Sequence, residues 1–151
     1  MNSVDSPGSP AQRIAHLKAE ITDIVLDQMA TVGPDLAFID LKVMMTSTVG
    51  DVAMTATKQD GSAPPLAPDP RLEPLFRELR HLQYDPDQGA WFSALVTNDA
   101  EMRLILKLNY DVDPIWYPEL PGSAFRRDLE DYPRGEGYIP TWLADKIAES
   151  D

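Results

Sequence analysis

Residues 90–111, AWFSALVTNDAEMRLILKLNYD, constrain what this chain can fold into more tightly than any other stretch. Trp91, Ser93, Leu95 and Thr97 alternate with Phe92, Ala94 and Val96, and further on Met102, Leu104, Leu106, Leu108 and Tyr110 alternate with Glu101, Arg103, Lys107 and Asn109. A period of two marks a strand with one buried face. Between the halves, Asn98-Asp99-Ala100 tolerates turn conformations, so the two strands are predicted to pair as an antiparallel hairpin. The second strand stops at Asn109-Tyr110-Asp111-Val112-Asp113-Pro114, where a sheet spine runs directly into an acidic, aromatic loop.

Upstream of the hairpin the chain reads as helix, strand, strand, helix. Ser9 followed by Pro10 and Gln12 predicts a helix start, with Ser9 as cap, proline at the first helical position and Gln12 placed for a capping box. Ile14, Leu17, Ile21, Ile24, Val25 and Met29 recur at steps of three and four until Gly33-Pro34 stops the run. From Leu36 to Thr46 the alternation sets Ala37, Ile39, Leu41, Val43 and Met45 against Phe38, Asp40, Lys42 and Met44. A weaker strand, Val52 to Lys58, follows a turn containing Gly50, which predicts a second hairpin. Gly61, Pro64, Pro65, Pro68 and Pro70 then make a loop that crosses over the domain. A helix is predicted over about Arg71 to His81, burying Leu75, Phe76, Leu79 and Leu82, with Pro74 confined to its first turn.

Past the hairpin, a proline-bracketed loop over 114–122 leads to two short helical pieces, Ser123 to Tyr132 and Pro140 to Glu149. Residues 1–8 are small and polar and are expected to be disordered. Residues 9–151 are expected to form a single domain, because neither side of the proline-rich loop holds enough apolar material for a core of its own. The predicted class is α+β: an antiparallel sheet of about four strands with an N-terminal helix, a middle helix and C-terminal helices packed on it.

Charge narrows the partners. A formal net charge of −12 repels phosphate backbones and anionic lipid, so neither nucleic acid nor a membrane is expected as a partner. The same field attracts a basic protein and speeds its docking. Acidity that serves only solubility is the plainer account of it. The chain has no cysteine, which removes disulfides and thiolate metal sites and is compatible with a reducing cytoplasm. Its first residues lack the pattern of a signal peptide, and no apolar run is long enough for a membrane span. A cytoplasmic location is expected.

Few residues suggest chemistry. His16 and His81 have no ligand-spaced partners and read as solvated helix residues. There is no Gly-rich phosphate loop, no H-E-x-x-H and no G-x-S-x-G. Asp85, Asp87 and Gly89 superficially match a calcium loop, but the glycine comes one position early and Val96 stands where the bidentate acid belongs. Asp111 and Asp113 are the best candidates for a carboxylate dyad or a Mg²⁺ site, yet no His, Lys or Cys accompanies them and Asp is also ordinary turn chemistry. No cofactor and no metal are expected. Trp116 and Tyr117, beside acids in a proline-bracketed loop, have the composition of an interface anchor.

Phe76-Arg77-Glu78-Leu79-Arg80, then Trp91, the turn at Asn98-Asp99 and MRLILKLNYD at 102–111 resemble the helix, tryptophan strand and F-x-Y-D strand of the YezG-like immunity protein family. Phe125 to Leu129, Tyr132-Pro133-Arg134 and Ile139-Pro140 with Trp142-Leu143 are similar to the tail of actinobacterial members, so the resemblance spans about residues 70 to 148. It implies a cytoplasmic antitoxin, not an enzyme, that binds and neutralises the cognate toxin domain of a polymorphic secreted toxin system. Such toxins are often nucleases with basic clefts, and a toxin that consumes NAD is also compatible. The rival readings are a small hydrolase or ligand-binding protein using Asp111 and Asp113, and a constitutive acidic adaptor.

From Asp111 to Asp151 ten carboxylates stand against four cations, which is half of the net charge in the last quarter of the chain. The partner-binding surface is therefore predicted to comprise Tyr110, Asp111, Asp113, Trp116, Tyr117, Asp128, Glu130 and Asp131, with the acids steering and the aromatics anchoring.

Overall fold

The computed structural model describes residues 8–149. The segment expected to be disordered, 1–8, lies outside the described residues except for Gly8. The elements run α1 (Pro10–Val32), β1 (Leu36–Met45), β2 (Gly50–Lys58), α2 (Leu72–Leu82), β3 (Ser93–Asn98), β4 (Leu104–Asn109), α3 (Gly122–Asp131), a 3₁₀ turn (Glu136–Tyr138) and α4 (Thr141–Ala148). The four strands form one antiparallel sheet in the order β2-β1-β3-β4, which is an α+β fold. Both predicted hairpins form, and α2 lies on the connection that returns the chain from β2 to β3, beside β1. Among the described residues no helix is long and apolar enough to cross a membrane.

Local chemistry explains the ends of the elements. Ser9 caps α1, its Oγ accepting the Gln12 N–H at 3.1 Å, and Pro10 opens the first turn. Gly33 ends the helix with φ at 111°, a conformation that glycine adopts without a side-chain clash. At the start of α2, the Asp69 carboxylate accepts the Arg71 N–H and pairs with its guanidinium, while the Asp69 carbonyl takes the Leu72 N–H.

Two apolar clusters use the two faces of the sheet. The larger one gathers Leu17, Ile21, Val25, Ile39, Leu41, Val43, Phe76, Leu79, Trp91 and Val96 beneath α1 and α2. The smaller one gathers Met44, Phe92, Trp116, Phe125 and Leu143 at one end of the other face, with Trp142 packed edge-on to Phe92 and Phe125. Elsewhere that face is open: Phe38 is 55 % exposed, and Ile105 on β4 is also exposed.

The strict alternation expected for two strands is broken in definite places. A bulge between Leu36 and Phe38 turns Leu36 into the core and leaves Ala37 half-buried, so the inward set of β1 is Leu36, Ile39, Leu41, Val43 and Met45. Trp91 and Phe92 lie just before β3 instead of within it. Trp91 joins the larger cluster with Ala94 and Val96, whereas Phe92 turns to the smaller one, so the phase expected at Trp91 is inverted. In α2 the buried positions are Leu72, Phe76, Leu79 and Arg80, while Leu75 and Leu82 are only partly covered.

Candidate functional site

The loop leaving β4 is organised by Asn109. Its Oδ1 accepts the N–H groups of Asp111 and Val112, and its Nδ2 donates to Ser93 Oγ and to the Val112 carbonyl. One side chain therefore closes the turn and fastens it to β3. Tyr110 is half-buried against the main core and its hydroxyl donates to the Gln83 carbonyl at 3.3 Å. Burial holds its phenol above the ordinary pKa.

Beyond the turn the backbone is clamped from three sides. Trp142 Nε1 donates to the Asp111 carbonyl at 2.7 Å, Lys42 Nζ reaches the Pro114 carbonyl at 3.5 Å, and Asp113 Oδ1 accepts the Ile115 N–H at 2.9 Å. Arg134, whose side chain is almost wholly buried, stacks its guanidinium 4.4 Å from the centre of the Phe92 ring. It donates to the carbonyls of Ala90 and Tyr138 and stands 3.9 Å from the Asp111 carboxylate. Desolvation lowers the pKa of this guanidinium.

This scaffold holds Ile115 at φ 60°, a left-handed conformation costly for a β-branched residue. Its consequence is directional. Trp116 points inward and is only 8 % exposed, while its neighbours Ile115 and Tyr117 are 70 % and 95 % exposed, with Val112 at 66 % beside them. Asp113, Ile115, Tyr117, Glu119, Phe125 and Lys146 border a recess of about 520 Å³. Lys146 pairs with Glu119 across it, which raises the ammonium pKa and lowers that of the carboxylate.

Of the eight residues expected at a partner-binding surface, the structure therefore places Asp111, Asp113 and Tyr117 in one loop, with half-buried Tyr110 as its root. Trp116 is corrected: it belongs to the smaller apolar cluster and offers a partner little surface. Asp128 is corrected as well. It is 5 % exposed, pairs with Arg80 through both oxygens, at 2.8 and 2.9 Å, and accepts the Ser47 N–H at 2.8 Å. Glu130 and Asp131 lie on the outer side of α3, where Asp131 pairs with Arg127 at 3.0 Å; that hydrogen bond keeps its carboxyl below the ordinary range.

Arg80 is the main residue that pattern reading missed. Its Nε donates to the Trp91 carbonyl at 2.6 Å, and its guanidinium also lies 5.2 Å from the centre of the Tyr132 ring. The signal present was spacing, since Arg80 falls four positions after Phe76 and so on the same helical face. Ile115 was missed for the opposite reason: its own backbone torsion decides which of three consecutive apolar residues faces inward, and no local pattern encodes that torsion.

Asp113 spends one oxygen on the turn and Asp111 is engaged through its backbone carbonyl, which is how turn residues behave. Among the described residues no group of three or more His, Cys, Asp or Glu is gathered closely enough to hold a metal ion. No known protein-family profile matches the chain, and no curated protein matches it.

Proposed function

We propose that this protein is an immunity protein that binds and neutralises a cognate toxin domain, a basic protein and for preference a nuclease, through the loop over 111–119. It acts by occupying a surface and turns over no substrate. What supports the reading is the outward pair Ile115 and Tyr117. A buried tryptophan and a clamp of hydrogen bonds from Trp142, Lys42 and Asp113 hold two large apolar side chains in water, which disfavours them unless a partner covers them. Asp113 and Glu119 border the same recess as that pair, and exposed Asp111 precedes them in the loop, so steering charge lies close to anchoring surface. The recess beside Tyr117 offers a place for a partner's side chain, with Glu119 as the carboxylate a cation would meet after displacing Lys146.

The experiment is co-expression with the product of the neighbouring reading frame, followed by binding kinetics and a toxicity assay. Tyr117→Ala is expected to weaken binding by about 2 kcal/mol or more, almost entirely through faster dissociation, with an unchanged melting temperature. Full-strength inhibition by Tyr117→Ala and by Ile115→Ala would overturn the assignment.

A further inference from the structure

The edge of the sheet at β4 is unpaired among the described residues, and its backbone groups have a definite direction. The Asn109 carbonyl accepts the Phe92 N–H and the Arg103 carbonyl accepts the Asp99 N–H, so the odd-numbered residues of β4 turn their backbone toward β3. Backbone direction alternates along an antiparallel strand. The N–H and C=O groups of Leu104, Leu106 and Leu108 therefore point away from the sheet. The side chains of the same three leucines are only half-buried and line a groove of about 230 Å³ beside α1, with Ile21, Phe76 and Val96 behind them. An open ladder edge and an incompletely covered apolar row thus coincide on three residues.

We propose that β4 pairs antiparallel with β4 of a second copy of this chain, about a two-fold axis at Leu106, joining two four-stranded sheets into one of eight. The leucine row is what points to a second copy: it is symmetric about Leu106, so a two-fold axis there sets leucine against leucine, and the charges then single out the register. Pairing outward backbone groups with outward backbone groups places the two-fold axis on a residue, never between two. A centre at Ile105 sets Arg103 against Lys107 of the partner strand, and a centre at Lys107 sets that lysine against its own copy; like charges directly opposite oppose pairing. A centre at Leu106 sets Lys107 against Ile105, Arg103 against Asn109, Leu104 against Leu108 and Leu106 against its own copy. Between residues 103 and 109 no directly opposed pair then joins two like charges, and the two Lys107 side chains meet only diagonally. Lysine on an edge strand commonly blocks pairing, but here Lys107 rejects the two neighbouring registers and leaves the middle one open. The edge also carries cations that offset the acidic field, with Arg103 beside the strand, Lys107 on it and Lys18 over the groove.

The test is sedimentation equilibrium of the whole chain over a range of concentrations and salt. A monomer–dimer equilibrium is expected, and added salt strengthens it because two acidic molecules approach each other; docking of a basic partner at the loop responds to salt in the opposite sense. Ile105→Lys, at an exposed position opposite Thr97 in its own sheet, is expected to weaken the dimer roughly tenfold or more by facing Lys107 across the axis. Adding Lys107→Glu to that variant is expected to restore the dimer, because each introduced lysine then faces an introduced glutamate of the other copy. As a measurement that needs no variant, the amide hydrogens of Leu104, Leu106 and Leu108 are expected to exchange more slowly as concentration rises. A chain that stays monomeric at millimolar concentration, or a dimer indifferent to both variants, would overturn the proposal.

Discussion

At the scale of single residues, neighbours in sequence have opposite jobs. Trp116 and Tyr117 are adjacent aromatics, yet one is packed in the cluster of Phe125 and Leu143 and the other stands in water. Trp116→Ala is expected to cost about 3 to 5 kcal/mol by chemical denaturation, whereas Tyr117→Ala leaves the midpoint where it was. Asp128 and Glu130 divide in the same way. Removing the Asp128 carboxylate leaves Arg80 charged, buried and short of its counter-ion, and Asp128→Ala is expected to cost about 3 to 5 kcal/mol. Glu130→Ala is expected to change stability by less than about 0.5 kcal/mol. Equal losses for the two variants would show that the Arg80 pair is not desolvated.

Among the elements, the central hairpin, the N-terminal helix with its Ser9 cap and the long first strand were all legible in the sequence, because each rests on local periodicity or local chemistry. Burial within them was less legible. Leu106 has the alternation of a core residue, but β4 is an edge strand and a groove opens above it, so Leu106→Ala is expected to cost about 1 to 2 kcal/mol. Leu41, on an inner strand and fully buried, is expected to cost about 2 to 5 kcal/mol as Leu41→Ala. Away from the irregularities at Leu36–Phe38 and Trp91–Phe92, sequence period tells which side of a strand a residue takes; it does not say whether a helix lies above it. The burial of Arg80 could be read from its spacing, but its ion pair could not, since the counter-ion comes from α3, far along the chain. The α2 start supplies a pH test. Asp69 is lowered from an ordinary value of 3.8 to about 2, chiefly by its hydrogen bond with Arg71. A depressed carboxyl stabilises the fold above its unfolded pKa and loses that contribution as pH falls through the folded one. Stability should therefore drop between about pH 4 and pH 2 more steeply in the wild type than in Asp69→Asn, as urea midpoints across that range would show.

For the whole molecule, the net charge of −12 bears on the rate of the proposed association more than on the fold. Reversing Glu119, Glu130 and Asp131 to Lys together is expected to lower the association rate with a basic partner by about tenfold and to flatten its dependence on salt, with a smaller change in dissociation. Asp128 has no place in that set, because it is not at the surface. A triple variant that keeps both its rate and its salt slope would remove steering from the account.

The division into two apolar clusters also orders the making of the protein in time. Every member of the larger cluster, together with the hydrophobic residues packed against it, lies at or before Tyr110, whereas the smaller one needs Trp116, Phe125 and Leu143. A chain emerging from the ribosome has the material for its sheet and first core before those residues appear, while Phe92 is still uncovered and Arg80 still lacks its acid. The clamp that turns Tyr117 outward includes Trp142 and Arg134, so the proposed inhibitory surface is acquired last. Newly made chain does not present that surface to the proposed partner until Trp142 has been added and has reached the Asp111 carbonyl.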